Sequence, residues 1–331
     1  MSTLLAPEKI KVEDLPRGID DIADKVYAGE RLSYEDGLRL FHHPHLPELG
    51  ILADHVRQKQ NPGRVVTYIA GRNINYTNAC WVQCKFCAFY RLPGQDGAYT
   101  LPKEEIFRKT QEMIDLGGIE ILLQGGLNPK LRIEYYEDLF SSITQKFPSV
   151  WLHALSVAEI LYIAKISKLT VPETLQRLRA AGMKTIPGAG AEMLADRVRQ
   201  IIAPHKDTVD EWLGTMQEWH KLGGFSTVTM MYGTVETTEE RLDHIVRTRQ
   251  AQDESLANTQ GGFTAFIAWN FQPDGTPLGE EILAQNPKWQ KASGYDYLRT
   301  VAVARLMLDN IAHHQASWVT QGPKIAQIGL Q

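Results

Sequence analysis

After Gly63 the sequence alternates short apolar runs with longer segments of helical periodicity. Such an alternation is typical of repeated βα units, which build a parallel sheet with helices on its outside. It predicts an α/β fold, a (β/α) TIM-type barrel that is full or partial, with an open doubly wound sheet as the alternative. The predicted strands are residues 73–78, 119–124, 151–156, 184–188, 226–231, 264–270, 317–321 and, more weakly, 326–330.

Helix signals fill the intervals between these runs. Thr100 and Pro102 are followed by two glutamates, which favours a helix with the proline in its first turn. Loops are predicted at 255–262 and 272–279, where glycine and polar residues cluster. Further helices are predicted at residues 133–146, 157–167, 171–181, 207–222, 238–251 and 295–313.

Residues 1–62 are predicted to form an N-terminal helical extension, and residues 63–331 the barrel core. Ser33 and Asp36 have the spacing of a capping box, and a second helix over 46–60 would end at Asn-Pro-Gly. The His-His-Pro-His stretch at 42–45 could bind a metal, but its proline interrupts the helical pairing of the histidines. A surface loop is the favoured interpretation of that stretch.

Charge and hydrophobicity exclude several classes of protein. The 331 residues are 43% hydrophobic, with 35 Lys and Arg against 39 Asp and Glu, for a net charge of −4. This composition does not favour a disordered tail or a surface for nucleic acid or anionic membranes. There is no apolar run of membrane-spanning length, and the N-terminus lacks the apolar core of a signal peptide. We therefore expect a soluble cytoplasmic protein that binds neither nucleic acid nor membrane.

The three cysteines of the chain, Cys80, Cys84 and Cys87, all follow the first predicted strand. An odd number in one short segment excludes a disulfide framework and indicates a single thiol unit. Structural zinc usually takes four ligands, and a redox-active Cys-x-x-Cys would leave Cys80 without a role. A [4Fe-4S] cluster held by three thiolates would leave one iron open to a small ligand, and this interpretation is favoured over the other two.

The spacing Cys-x3-Cys-x2-Cys after a first strand resembles the radical S-adenosylmethionine (radical SAM) superfamily. The resemblance implies that a [4Fe-4S] cluster on Cys80, Cys84 and Cys87 binds S-adenosylmethionine at its open iron. One electron then releases a 5′-deoxyadenosyl radical, so an electron donor such as flavodoxin or ferredoxin is also implied. Phe86 matches the aromatic position that lies near the adenine in this superfamily.

Two further segments agree with this resemblance. Gly125 and Gly126 resemble the Gly-Gly motif that contacts the methionine moiety, although Leu127 stands where an acidic residue is usual. Glu192, after the fourth predicted strand, resembles a carboxylate that binds the ribose hydroxyls. The glycines could instead form a plain strand-to-helix turn, and Glu192 could be an acid at a helix N-terminus.

The segment from Tyr76 to Arg91 resembles a narrower group of radical SAM enzymes, which act in the futalosine route to menaquinone or in deazaflavin-precursor synthesis. Short stretches, above all Trp269-Asn-Phe-Gln-Pro273, favour the cyclase branch, whose substrate is dehypoxanthine futalosine. Aminofutalosine synthase or a deazaflavin-precursor synthase subunit is the alternative, and an iron–sulfur or zinc scaffold without turnover is the non-enzyme alternative. The resemblance also implies more chain after Gln331, to complete the last barrel unit.

Side chains at the predicted strand ends are candidates for substrate contact. His153 could act as the catalytic base or as a hydrogen-bond partner. Arg91 could pair with a carboxylate. Tyr232, Trp269 and Phe271 could form an apolar wall for an aromatic ring. Each has an ordinary alternative, as a core residue or, for Arg91, a solvated one.

Overall fold

The computed structural model describes residues 18–330. In this range seven strands form one sheet, and each strand pairs in parallel with the next along the chain. The strands are β1 (Gly71–Asn75), β2 (Glu120–Gln124), β3 (Trp151–Ala154), β4 (Thr185–Ile186), β5 (Phe225–Tyr232), β6 (Gly262–Asn270) and β7 (His313–Gln315). Because β1 and β7 are the two edges of this described sheet, the fold is a partial TIM-type barrel.

Helices connect the strands and cover the outer face of the sheet. None of the helices within residues 18–330 is long and apolar enough to cross a membrane. Six helices begin at complete capping boxes, so serine and threonine side chains set their start points. The helices that follow β1 are α4 (Lys103–Asp115), α5 (Ile133–Lys146), α6 (Val157–Ser167), α7 (Val171–Ala180), α8 (Asp196–Ile202), α9 (Val209–Lys221), α10 (Thr238–Asn258), α11 (Pro277–Gln285), α12 (Gly294–Met307), α13 (Trp318–Gln321) and α14 (Pro323–Gly329).

Alternate side chains of each strand face opposite sides of the sheet. Ile121 and Leu152 are adjacent in register and fully buried, so their face packs against the helices. Leu122, His153 and Thr185 are also adjacent in register but only partly buried. This second face lines the inside of the partial barrel, and it carries several polar residues.

Three helices precede the sheet: α1 (Asp20–Ala28), α2 (Tyr34–His42) and α3 (Leu46–Gln60). The predicted capping box is present, since Ser33 accepts the Asp36 N–H and Asp36 accepts the Ser33 N–H. Helix α2 packs against α10, and α3 packs against α12. The connection between α2 and α3 holds the histidine-rich stretch, in which His43 is buried and hydrogen-bonded to Glu48 at 2.7 Å.

The sequence prediction was wrong for the last strands. Residues 317–321 and 326–330 lie largely in helices α13 and α14, and the seventh strand is β7, at the end of the predicted helix 295–313. That helix stops at Met307, so the pair His313-His314 lies on a strand and not at a helix end. The strand is three polar residues long at a sheet edge, and therefore carries no apolar alternation that could reveal it.

Two boundaries also differ from the prediction. Pro102 is the N-cap of α4 and not part of its first turn, because the Thr100 hydroxyl bonds to Thr77 at 3.1 Å and does not cap the helix. Helix α10 extends to Asn258, so only the middle of the predicted loop 255–262 is irregular.

Candidate active site

The three cysteines lie on one loop at the carboxyl end of β1. The base of the loop is closed by backbone hydrogen bonds, in which the Arg91 N–H donates to the Asn78 carbonyl and the Cys80 N–H donates to the Arg91 carbonyl, both at 2.9 Å. Within the loop, the Cys87 N–H donates to the Cys84 carbonyl at 3.1 Å. We call residues 79–91 the cysteine loop.

Tertiary contacts hold the cysteine loop from two sides. The Lys85 N–H donates to the carbonyl of Ile202 at the end of α8, and the Leu278 N–H at the start of α11 donates to the Lys85 carbonyl, both at 2.8 Å. Because α8 follows β4 and α11 follows β6, the loop spans the carboxyl end of the partial barrel. This is the end at which parallel α/β barrels carry their active sites.

The three thiols are free and half-buried. Burial raises the pKa of Cys80, and it raises the pKa of Cys84 to about 12. Backbone N–H groups of Leu127 and Val82 near the Cys80 sulfur act in the opposite direction and favour a thiolate. Burial therefore keeps Cys80 and Cys84 protonated and unreactive as free thiols, and a metal that binds them would have to displace the proton.

This donor set fits three corners of an iron–sulfur cube. Among the residues that the structure describes, no three His, Cys, Asp or Glu side chains are arranged to hold a single metal ion. Three thiolates that bind three different irons of a cluster need no such convergence on one point. Backbone amides that point at the sulfur, as at Cys80, are a usual means of tuning such clusters.

Gly125 and Gly126 bring the end of β2 against the cysteine loop. A Cβ at Gly125 would lie 2.8 Å from Cζ of Tyr76, and one at Gly126 would lie 2.5 Å from the Ala79 carbonyl oxygen and 2.8 Å from Cβ of Cys80. Both glycines are therefore required by a close approach between two protein segments. The predicted contact of their backbone with a cofactor stays a prediction.

A buried carboxylate, Glu159, fixes the same segment. Its Oε1 accepts hydrogen bonds from the Tyr76 hydroxyl at 2.7 Å and from the Gly125 N–H at 2.9 Å. Its Oε2 accepts from the N–H and the hydroxyl of Ser156, each at 2.7 Å. Burial raises the pKa of Glu159, against the opposing effect of these donors. Glu159 thus joins α6, β1 and the Gly-Gly segment.

Glu192 follows β4 and lies beside another part of the cysteine loop, where its charge acts on Cys84. It is buried, its φ is +40°, and its carbonyl accepts the Met231 N–H at 2.7 Å. Its carboxylate forms an ion pair with Lys206, whose ammonium lies 5.5 Å from the centre of the Phe86 ring. The structure thus brings together Phe86 and Glu192, two residues that the sequence proposed for one cofactor.

A second buried ion pair supports this region. Arg199 and Asp207 are 2.6 Å apart, and both side chains are less than 5% exposed. Arg199 also donates to the carbonyls of Gly190 at 2.9 Å and Ala191 at 2.7 Å, just before Glu192. The pair therefore ties the loop after β4 to the turn that carries Lys206.

His153 lies on the inner face of the barrel, where its Nδ1 is 2.7 Å from the Thr185 hydroxyl. The same hydroxyl accepts the indole N–H of Trp151 at 3.0 Å. Burial lowers the pKa of His153 to about 4. The imidazole is therefore neutral at pH 7, where it is a weak base and an effective hydrogen-bond partner.

The remaining residues proposed for substrate contact differ in how far they are buried. Arg91 is exposed and, with Cys87, lines a cavity of about 290 Å³ beside the cysteine loop. Trp269 is partly buried on β6, in register with Met231. Tyr232 and Phe271, by contrast, are fully buried. The Tyr232 ring packs under the guanidinium of Arg241 from α10 at 4.6 Å, and the Phe271 ring lies 6.4 Å from that of Trp289.

Glu159 and Lys206 lie beside the cysteine loop, and the sequence analysis did not single them out. The pattern from Ser156 to Glu159 identifies a capping box, but nothing local reveals that the same carboxylate reaches Tyr76 and Gly125. Lys206 lies in a short turn after α8 with no motif around it.

Known proteins resemble this chain over most of its length. Residues 74–247 match the Radical SAM superfamily, and residues 260–331 match the CofH/MqnC C-terminal region. The chain is 43% identical to a cyclic dehypoxanthine futalosine synthase of Halalkalibacterium halodurans, over 95% of the chain and 81% of the relative. It is 40% identical to one of Streptomyces coelicolor, over 94% and 76%. It is 41% identical to an aminodeoxyfutalosine synthase of Thermus thermophilus, over 95% and 83%.

Solved structures share the fold at much lower identity. Methylornithine synthase (PylB) superposes with a TM-score of 0.71 at 18% identity, covering 93% of this chain and 82% of that one. The hydrogenase maturase HydG of Carboxydothermus hydrogenoformans gives 0.72 at 16%, covering 94% and 68%. These likenesses confirm the partial barrel. With its cysteine loop at the carboxyl end of that barrel and its match over residues 74–247, the chain belongs to the radical SAM superfamily of enzymes.

Proposed function

We propose that this enzyme converts dehypoxanthine futalosine to cyclic dehypoxanthinyl futalosine in the futalosine route of menaquinone biosynthesis. The observation that carries the proposal is the similarity, along nearly the whole chain, to two proteins named cyclic dehypoxanthine futalosine synthase, at 43% and 40% identity. The aminodeoxyfutalosine synthase at 41% supports a second candidate, because its identity lies between those two values.

The cysteine loop and its neighbours would hold the cofactors. Cys80, Cys84 and Cys87 would ligate a [4Fe-4S] cluster, and Phe86, Gly125, Gly126 and Glu192 would contact S-adenosylmethionine. When bound, these groups supply the one-electron cleavage that yields a 5′-deoxyadenosyl radical. The tasks of the chain are to orient both ligands, to exclude water and to place the substrate within reach of that radical.

The inner face of the barrel offers contacts for a hydroxylated, aromatic substrate. Polar residues of that face, such as Asn75, Gln124 and Thr227, can bond to sugar hydroxyls, and Trp269 can pack against a benzoate ring. Arg91 would pair with a carboxylate from the rim. Because the pKa of His153 is lowered to about 4, we propose that it holds the substrate through a hydrogen bond and is not the main base.

A comparison of two substrates under anaerobic conditions tests this function. The protein is reconstituted with iron and sulfide, reduced, and incubated with S-adenosylmethionine and either dehypoxanthine futalosine or the precursor of aminodeoxyfutalosine. Mass spectrometry then follows 5′-deoxyadenosine and each product. Cyclised product from dehypoxanthine futalosine supports the proposal, and conversion of the other substrate supports the second candidate. A Cys84→Ala variant should release no deoxyadenosine, and colourless protein with stoichiometric zinc would contradict both candidates.

A further inference from the structure

Lys206 is a buried cation to which the proposed function gives no role. Its side chain is 9% exposed, and within the described residues its ion-pair partner is Glu192. Burial by itself would lower the pKa of Lys206, but the neighbouring negative charges, Glu192 first, raise it. An ammonium in such a site is costly unless it is paired, so the pair with Glu192 fixes both side chains.

The neighbouring acidic residue does not compete for this ammonium. Asp207 directs Oδ2 to the guanidinium of Arg199 at 2.6 Å, and the same guanidinium holds two carbonyls of the loop after β4. The two buried pairs therefore have separate tasks. Arg199 and Asp207 hold the backbone, whereas Lys206 holds the Glu192 side chain.

The pair leaves part of the Glu192 carboxylate available. Lys206 bonds to Oε1, and Oε2 has no hydrogen-bond partner among residues 18–330. A carboxylate offers about four acceptor positions, so most of these stay open after one bond to an ammonium. The centre of the Phe86 ring lies 5.5 Å from the same ammonium, so an aromatic ring and the open carboxylate both adjoin one fixed cation.

We propose that Lys206 is a positioning residue, which holds the Glu192 carboxylate so that its open positions accept the two ribose hydroxyls of S-adenosylmethionine. This inference rests on the proposed role of Glu192 in the cofactor site. The contribution of Lys206 is orientation. Without the ammonium, the carboxylate is free to rotate and to bond to other donors, and the hydroxyls lose a preformed acceptor.

A cycle of protein and ligand changes tests the proposal without turnover. Binding of S-adenosylmethionine and of its 2′-deoxy and 3′-deoxy analogues is measured by equilibrium dialysis on the oxidised, cluster-loaded enzyme. Wild type should bind the parent about tenfold more tightly than either analogue, the size expected for a charge-assisted hydrogen bond. In Lys206→Met this preference should fall to about twofold or less, and Lys206→Arg should restore most of it.

Asp207→Asn is the matched control, because it removes a buried charge from the neighbouring pair while the Arg199 guanidinium keeps its hydrogen bonds to the Asp207 carbonyl. It should keep the preference for the hydroxyl-bearing ligand, whatever its effect on stability. If Lys206→Met does not fold with a full complement of iron, the comparison is made between Lys206→Gln, which loses the positive charge, and Lys206→Arg, which keeps it; the preference should be weaker in Lys206→Gln.

The outcomes separate this inference from the proposed function. A wild-type preference that survives intact in Lys206→Met or Lys206→Gln would overturn the role of Lys206 alone. A wild type without any preference would overturn the role of Glu192 and, with it, this inference. A binding cycle of the expected form, together with no cyclisation of dehypoxanthine futalosine, would support the inference and contradict only the proposed substrate.

Discussion

Glu159 and Glu192 are two buried glutamates beside the cysteine loop, one near Cys80 and the other near Cys84, and their carboxylates are hydrogen-bonded in different ways. Glu159 accepts four hydrogen bonds from neutral donors, and no cation pairs with it among residues 18–330. Glu192 has a cation, Lys206, and an oxygen without a partner in the described residues. A saturated carboxylate can only hold the protein together, whereas an unsaturated one can also bind a ligand. We therefore expect the first glutamate to act in the scaffold, and we propose the second as part of the site.

The largest effect is expected for Glu159→Leu. It leaves the Tyr76 hydroxyl and the N–H groups of Gly125 and Ser156 without their acceptor, which should lower the free energy of unfolding by about 4 kcal/mol. Urea denaturation of the cluster-free protein measures the change. A loss below about 1 kcal/mol, the size of a single ordinary hydrogen bond, would remove Glu159 from the scaffold.

A smaller effect that can be reversed is expected for Glu192→Leu. This change strands the Lys206 ammonium and should cost about 3 kcal/mol, of which Glu192→Leu with Lys206→Met should recover most. No single substitution of a partner can rescue Glu159→Leu in this way, because two of the donors to Glu159 are the backbone N–H groups of Gly125 and Ser156. The same denaturation series checks both, and a double variant as unstable as the single one would contradict the comparison.

Gly126→Ala should act on the loop between the two glutamates. The new Cβ would meet the Ala79 carbonyl at 2.5 Å, so we expect a loss of about 2 kcal/mol and a lower iron content after reconstitution. Gly50→Ala is the control, since a Cβ there meets nothing within 4 Å. Normal iron content in Gly126→Ala would show that the two segments can separate without loss of the cluster.

The smallest expected effect is a contribution of Glu159 to the pH dependence of stability. Its folded pKa is raised above 4.5 by burial, so the folded state binds the proton more tightly than the unfolded state. Stability from this group is present below pH 4.5 and is lost as the pH rises from there through the folded pKa. Urea midpoints between pH 4 and 8 should therefore fall less steeply in Glu159→Gln than in wild type. Parallel curves for the two proteins would show that Glu159 does not titrate in this window.

The sequence predicted most of the framework because its signals are local. The βα alternation, the capping box at Ser33 and the three cysteines can each be recognised from short stretches of sequence. The prediction failed where a strand depends on its neighbours alone. β7 is polar and three residues long, and it is a strand only because β6 provides a partner. The helices α13 and α14 were mistaken for strands because their apolar residues are too few to show a helical period.

The candidate site divides in the same way. The cysteines, Phe86, the two glycines and Glu192 could be chosen from motifs that resemble a superfamily, and the structure places them around one loop. It also buries Tyr232 and Phe271 among protein side chains, where the sequence proposed a substrate wall. The position of a residue at the end of a strand does not determine which face of the sheet its side chain occupies. A shift of one residue along the strand moves the side chain to the other face.

By itself, the sequence determined the chemistry that this chain can support: three thiols in one loop, and repeated units that form a parallel sheet. Only the tertiary structure decided which charges stand beside that loop. Lys206 and Glu192 are 14 residues apart, and Glu159 and Gly125 are 34 apart. Such pairs form because burial makes an unpaired charge or donor costly, and burial is a property of the folded chain and not of any segment.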